Sequence, residues 1–261
     1  MKVICAGLCK TGKTSLAKAL RILGFTVFDS AEHRKFHLDQ WFDVYFKGKS
    51  PDFAAMYKDI DAVADLPPVF WFQEIYKAFP DTQVILTLRD DEEIWVKSFS
   101  KQNEFDQTQG GLLNRLIIKW PYVIMHWIRR KPPVLQLRDT AMLTAAFGSL
   151  NSKSTVLFKK KYREHNERVQ AVIPKDKLLI YNVNQGWKPL CTFLGCNVPA
   201  LKFPRENVAL SDSKHRLTAR LQQRKRDAFV ILAICALLVS FRLQKEAACK
   251  GYSRKRNTTL S

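Results

Sequence analysis

Residues 7–14, Gly-Leu-Cys-Lys-Thr-Gly-Lys-Thr, are a full match to the Gly-x4-Gly-Lys-Thr phosphate loop. A glycine-rich turn running into a helix lines up several main-chain N–H groups at the helix's positive end. That geometry attracts a phosphate whatever molecule carries it. Lys10, Thr11, Gly12, Lys13 and Thr14 supply the N–H groups. Thr14 and Ser15 add hydroxyls, and Lys10 and Lys13 add charge. The alternative is a glycine turn that only packs a helix on a strand. Two donor classes stay open. In a triphosphate site Lys13 would span the outer phosphates and Thr14 would hold magnesium, and a second carboxylate would end a neighbouring strand. Asp90 could fill that place, but Arg89 precedes it, and no guanine-reading Asn-Lys-x-Asp occurs. The other class is a different phosphate-bearing donor.

The elements that must position this loop follow from periodicity. The spacing predicts strands over 2–6, 25–28, 62–64, 84–88 and 177–181. It predicts helices over 13–23, 31–46, 69–79, 92–102, 155–172 and 187–194. Strand alternates with helix, which implies an α/β fold with a parallel central sheet covered on both faces, a three-layer α/β/α arrangement. Ligands of such sheets bind beyond the carboxyl ends of the strands. Residues 7–14, Asp65 and Arg89, far apart in the chain, therefore share one rim. The expected domain is 1–207, with an aromatic and basic helical insert at about 107–150 whose Trp120, Trp127, Arg129 and Arg130 are read as packing over the sheet and lining a ligand pocket, the alternative being contact with a membrane. A basic tail, 208–261, follows.

The 261 residues carry a formal charge of +19, of which +10 falls in the last 48. The basic body suits an anionic ligand. No secretory signal opens the sequence, so a cytoplasmic catalytic domain is expected. The six cysteines form no paired Cys-x-x-Cys pattern and read as reduced thiols. The five histidines show no metal spacing. Residues 228–241 are fourteen uncharged residues, roughly 21 Å as a helix against roughly 30 Å of hydrocarbon. Length alone favours an interfacial or buried helix. The basic flanks, Arg224 to Arg226 before it and Arg242 and Lys245 after it, favour membrane association and could extend the span. No nucleic-acid partner is expected.

Three further stretches complete the pattern: Ala64-Asp-Leu-Pro-Pro68, the run from Val84 to Ser98, and Gln185 to Asn207, which begins Gln-Gly-Trp-Lys-Pro-Leu-Cys-Thr-Phe-Leu-Gly. Together with the loop they resemble the P-loop sulfotransferase-like proteins, in the cytosolic branch with a Gly-Leu-Pro-Lys-Thr-Gly-Thr-type loop. The resemblance runs from about residue 1 to residue 207. It implies a sulfotransferase that moves a sulfonate from 3′-phosphoadenylyl sulfate (PAPS) to an acceptor hydroxyl or amine of unknown identity, with no metal. By the same resemblance Lys10, Thr11, Gly12, Lys13 and Thr14 cradle the 5′-phosphosulfate, and Ser15, with its hydroxyl, is a further donor-binding candidate beside them. Arg89 binds the 3′-phosphate with Ser98 as companion, and Asp65 is the catalytic base.

The chemistry of the residues is compatible with those roles. Sulfonate transfer needs a base near the acceptor's proton and positive charge at the leaving phosphate; Asp65 and Lys10 are placed for the two tasks. Each role has an alternative. An aspartate before proline often caps a helix, and Arg89 could form a surface ion pair with Asp90 or Glu93. Two other functions remain: a triphosphate-dependent kinase or NTPase, and a membrane-associated, non-catalytic nucleotide-binding relative.

Overall fold

A computed structural model describes residues 1–108, 147, 148, 151 and 153–206. The expected insert at about 107–150 falls almost wholly outside them. The tail 208–261, with its apolar stretch 228–241, falls entirely outside.

Five strands build the core: β1 (Val3–Cys5), β2 (Val27–Phe28), β3 (Ala62–Val63), β4 (Gln83–Thr87) and β5 (Leu178–Tyr181). All neighbours are parallel, in the order β2-β3-β1-β4-β5. Val3 is level with Ala62 on one side and with Gln83 on the other. After β1 the chain moves outward to β2 and returns through β3; it later reaches β4 and β5 on the opposite side. The loop leaving β1 therefore sits at the switch point, where the connections on either side diverge and leave a crevice.

Alternation along the strands sorts side chains into two fully covered faces. Ile4, Ala6, Val63, Val84 and Leu86 face one layer, formed by helices α2 (Ser30–Phe36), α3 (Leu38–Lys47), α4 (Phe53–Met56), α5 (Phe72–Ala78) and α7 (Thr155–Val172); Trp41, Phe53, Phe72, Ile75 and Val169 fill that core. Val3, Cys5, Ala62, Ala64 and Ile85 face the other, formed by α1 (Lys13–Ile22) and α8 (Trp187–Leu194), with Leu16, Leu20, Trp187 and Leu190. The three-layer architecture read from the alternation is the one observed. A third cluster lies beyond the strand ends. Leu8 of the loop packs there on Val69, on Trp95 and Phe99 of α6 (Glu92–Thr108), and on Phe158 and Tyr162 of α7. Each such fully buried side chain contributes about 1.5–3 kcal/mol.

The helix expected over 31–46 is two helices. Asp29 starts α2 with a reciprocal capping box to Glu32, and His37 leaves helical geometry at φ −116° and ψ 17°. No glycine or proline marks the break. It accompanies the burial of His33, His37 and Trp41 against Phe28 and Tyr57. The stretch 69–79 begins as a 3-10 turn over Pro68–Trp71 before α5. Among the described residues no helix is long and apolar enough to cross a membrane.

Gly7 fixes how closely β1 and β4 approach. A Cβ there would overlap the Thr87 hydroxyl and meet the Thr87 main-chain N and O at 2.8 Å. Backbone cannot give way as a side chain does. Gly7→Ala is expected to destabilise the fold by about 1–3 kcal/mol or more, read as a lowered midpoint in chemical unfolding; an unchanged midpoint would show that the two strands can part there freely.

Candidate functional site

The loop between β1 and α1 holds itself in shape with its own hydrogen bonds. The Thr11 hydroxyl donates to the Leu8 carbonyl at 2.6 Å and lies 2.6 Å from the Thr87 hydroxyl at the end of β4. Thr11 is buried, so its hydroxyl is spent on the loop's architecture, and its contribution to a ligand comes from the main chain. The Trp95 indole donates to the Cys9 carbonyl at 2.8 Å, and the Arg89 Nε donates to the Lys10 carbonyl at 2.8 Å. These bonds turn the loop's carbonyls away toward α6 and β4, which is how such a loop comes to offer N–H groups to an anion. Gly12, at φ 97°, precedes the first helical residue; a Cβ there would meet Val183 at 2.7 Å.

Among the described residues, the two non-glycine residues with positive φ are Lys10 (68°) and Asp65 (66°). A left-handed backbone costs an ordinary side chain about 1–2 kcal/mol. Such strain gathers at sites the surrounding structure over-determines. The two residues singled out from the sequence for catalysis are the two that carry it.

Asp65 follows β3 and faces the loop. Its carboxylate accepts the Lys13 ammonium in an ion pair and the Leu66 main-chain N–H at 2.6 Å. Side-chain exposure is 11% for Lys13 and 22% for Asp65, so the pair is largely shielded from water. Burial pushes the Asp65 carboxyl up, but the Lys13 charge and the two hydrogen bonds outweigh it and hold the group below the ordinary carboxylate range. The helix-capping alternative does not hold. The turn beginning at Pro68 has no side-chain cap, and the Asp65 carboxylate is turned to Lys13.

Arg89 lies across the loop from Asp65. Its main-chain N–H donates to the Tyr162 hydroxyl at 3.2 Å. The two acids weighed as its partners are engaged elsewhere: Asp90 accepts from Asn182 Nδ2 at 2.5 Å, and Glu93 pairs with Lys159. Lys10 donates from its ammonium to Gln102 Oε1 on α6 at 3.1 Å. Ser98 stands one helical turn before Gln102 and so shares its face of α6. Thr14 is exposed at the start of α1. Ser15 is placed otherwise: it is buried, and its hydroxyl accepts the Glu206 main-chain N–H at 2.9 Å, while Lys18 pairs with the Glu206 carboxylate at 2.6 Å. Ser15 thus ties the segment after α8 to α1. The structure brings Lys10, Gly12, Lys13, Asp65 and Arg89 together at the ends of β1, β3 and β4 and commits the hydroxyls of Thr11 and Ser15 to protein partners.

Several supporting residues carried little sequence signal. Thr87 could have been found as the polar end of an apolar strand. Trp95, Gln102 and Tyr162 could not, because their hydrogen bonds to the loop and to Arg89 cross 73–92 residues of chain. His165 Nε2 lies 2.7 Å from the Ala6 carbonyl at the end of β1; burial lowers its pKa and that hydrogen bond opposes the shift. Burial likewise pushes the Cys9 thiol up to about 11, so at neutral pH the loop carries a thiol rather than a thiolate.

Asp65 gains its partners on folding, so its folded pKa is below its unfolded one. The resulting stability is present above the unfolded value of 3.8 and is lost as pH falls through the folded value. Asp65→Asn should flatten that acid limb of the stability–pH curve. At neutral pH it should cost toward the lower end of the ~3–5 kcal/mol typical of breaking a buried pair, because Lys13 loses its counter-charge. Parallel acid limbs in the two proteins would show that the pair does not form.

Two comparisons bear on this geometry. The family model described as a sulfotransferase domain matches residues 2–211. The chain is also 31% identical over 233 residues to the Ava biosynthesis cluster protein M of Aspergillus versicolor, covering 83% of this chain and 84% of that protein.

Proposed function

Because the chain belongs to the sulfotransferase-domain family, we propose that it transfers a sulfonate from 3′-phosphoadenylyl sulfate to an acceptor hydroxyl or amine. The observation that carries this reading is that the two strained residues, Lys10 and Asp65, belong to one rim, where the Asp65 carboxylate pairs with Lys13 of the phosphate loop. A carboxylate beside a loop that carries cations and main-chain N–H groups suits an acceptor proton on one side and a leaving phosphate on the other.

The donor, when bound, supplies the sulfonate that moves and the phosphate that leaves. The residues present fit it. The N–H groups of 10–14 at the start of α1 suit its 5′ end, with Lys10 and Lys13 as counter-charges. Arg89, held against the Lys10 carbonyl, suits the 3′-phosphate, and Ser98 is its companion from α6. In the transfer the acceptor oxygen or nitrogen bonds to sulfur, the bond from sulfur to the bridging oxygen breaks, and Asp65 takes the acceptor's proton. Paired with Lys13, Asp65 is a weak base. An anion on the loop draws Lys13 toward itself, which removes the charge that lowers the Asp65 pKa and adds a negative one nearby. Both changes raise it. The base is thereby unmasked when the donor is in place. Lys13, the residue that makes the loop look like a triphosphate site, acts here as the partner that keeps Asp65 silent until then.

The first experiment is thermal stabilisation by 3′-phosphoadenosine 5′-phosphate without metal, against ATP and GTP with magnesium. Stabilisation by the bisphosphate is expected; stabilisation by the triphosphates alone would overturn the reading. Arg89→Ala should weaken the bisphosphate far more than free sulfate, by roughly tenfold or more for a lost charge-assisted hydrogen bond, and equal weakening would remove Arg89 from the 3′-phosphate. We also propose that 228–241 attaches the chain to membranes, on the strength of its basic flanks and lack of charge. Carbonate extraction of the expressed chain should leave it in the pellet; complete release into the supernatant would contradict a spanning segment.

A further inference from the structure

We propose that Cys191 and Cys196 form a two-electron oxidation site, a dithiol that closes to an intramolecular disulfide across the end of α8. The site is built by the way that helix stops. Gly195 adopts a left-handed conformation (φ 65°), and both its N–H and that of Cys196 return to the Cys191 carbonyl, the latter at 3.0 Å. This termination places the residue after the glycine against the residue five positions earlier, normally as an apolar contact. Here both places are cysteine.

The hydrogen bond sets the separation. Covalent geometry adds at most about 3.9 Å to its length, so the two α-carbons lie no more than about 7 Å apart, at or inside the limit for a disulfide. The Cys196 thiol lies beside the Cys191 thiol, close enough to raise its pKa. Cys191 is 1% exposed, in the core with Cys5, Leu16, Leu20, Tyr181 and Trp187, whereas Cys196 is half-buried at its edge. The asymmetry assigns the order of events. Burial, with Cys196 beside it, pushes the Cys191 thiol up to about 11, so Cys191 is not the first nucleophile.

Cys196, as thiolate, attacks one sulfur of a disulfide oxidant such as oxidised glutathione and releases one glutathione thiolate. Cys191 then gives up its proton and attacks the Cys196 sulfur, displacing the second glutathione. Two protons leave the protein, and its two electrons pass to the oxidant. The same core cluster packs α1, so the closed form fixes the end of α8 beneath the helix that carries the phosphate loop.

The test is differential alkylation of the full-length protein, incubated with or without oxidised glutathione and then unfolded in iodoacetamide. The reduced protein should take up six labels, matching its six cysteines. The oxidised protein should take up four, and the peptide that carries residues 191 and 196 should be about 2 Da lighter and unlabelled. Cys5→Ser and Cys9→Ser should leave closure unchanged, and Cys191→Ser should trap a glutathione adduct on Cys196. Six labels after oxidation, a stable adduct on Cys196 of the unaltered protein, or a bridge to any other cysteine would overturn the proposal. None of these outcomes depends on sulfonate transfer, so the two proposals stand or fall separately.

Discussion

The ion pair between Lys13 and Asp65 is the interaction on which the site depends. It joins the first residue of the helix after β1 to Asp65, two residues beyond β3, so that the ends of two neighbouring strands are tied by residues 52 positions apart in the chain. The pair also counters the strain beside it. A left-handed backbone at Asp65 costs about 1–2 kcal/mol. A charge-assisted hydrogen bond returns about 1.5–3 kcal/mol, and the Leu66 N–H adds a second bond to the same carboxylate. The left-handed conformation of Asp65 is therefore sustained by the partner its carboxylate holds.

The rest of the fold sets the positions of these residues. Parallel strands of two to five residues are enough, because both faces are sealed by helices and the sheet serves mainly to bring its carboxyl ends level. Beyond those ends, Trp95, Phe99, Phe158 and Tyr162 pack under Leu8, and the Trp95 indole and Arg89 hold the Cys9 and Lys10 carbonyls from outside. The loop's shape is thus set by what binds its carbonyls.

The strand ends were legible in the sequence, and with them the site. Short apolar runs followed by Gly7, Asp65 and Arg89 predict a shared rim once the alternation of strand and helix is recognised, because a parallel sheet places all such ends on one side. The break at His37 was not legible: no local residue demands it, and it accompanies tertiary burial of His33 and Trp41. The destinations of individual side chains were likewise hidden. Thr11 and Ser15 sit among the phosphate-binding residues by motif, yet their hydroxyls serve Leu8 and Glu206, partners set by packing rather than by local sequence. The motif also cannot tell whether Lys13 faces a phosphate or a carboxylate, since both satisfy an ammonium; only the approach of β3 decides.

The most direct measurement is the titration of the Asp65 carboxylate, followed by its carbon NMR signal, with and without saturating 3′-phosphoadenosine 5′-phosphate. Without ligand the pKa should lie below the ordinary value of 3.8, as the Lys13 pair requires. With ligand it should rise, because Lys13 turns to the phosphate and a negative charge enters the crevice. A pKa that stays put or falls on binding would contradict the account, since Lys13 would then still hold Asp65 and the carboxylate would not be released to accept a proton.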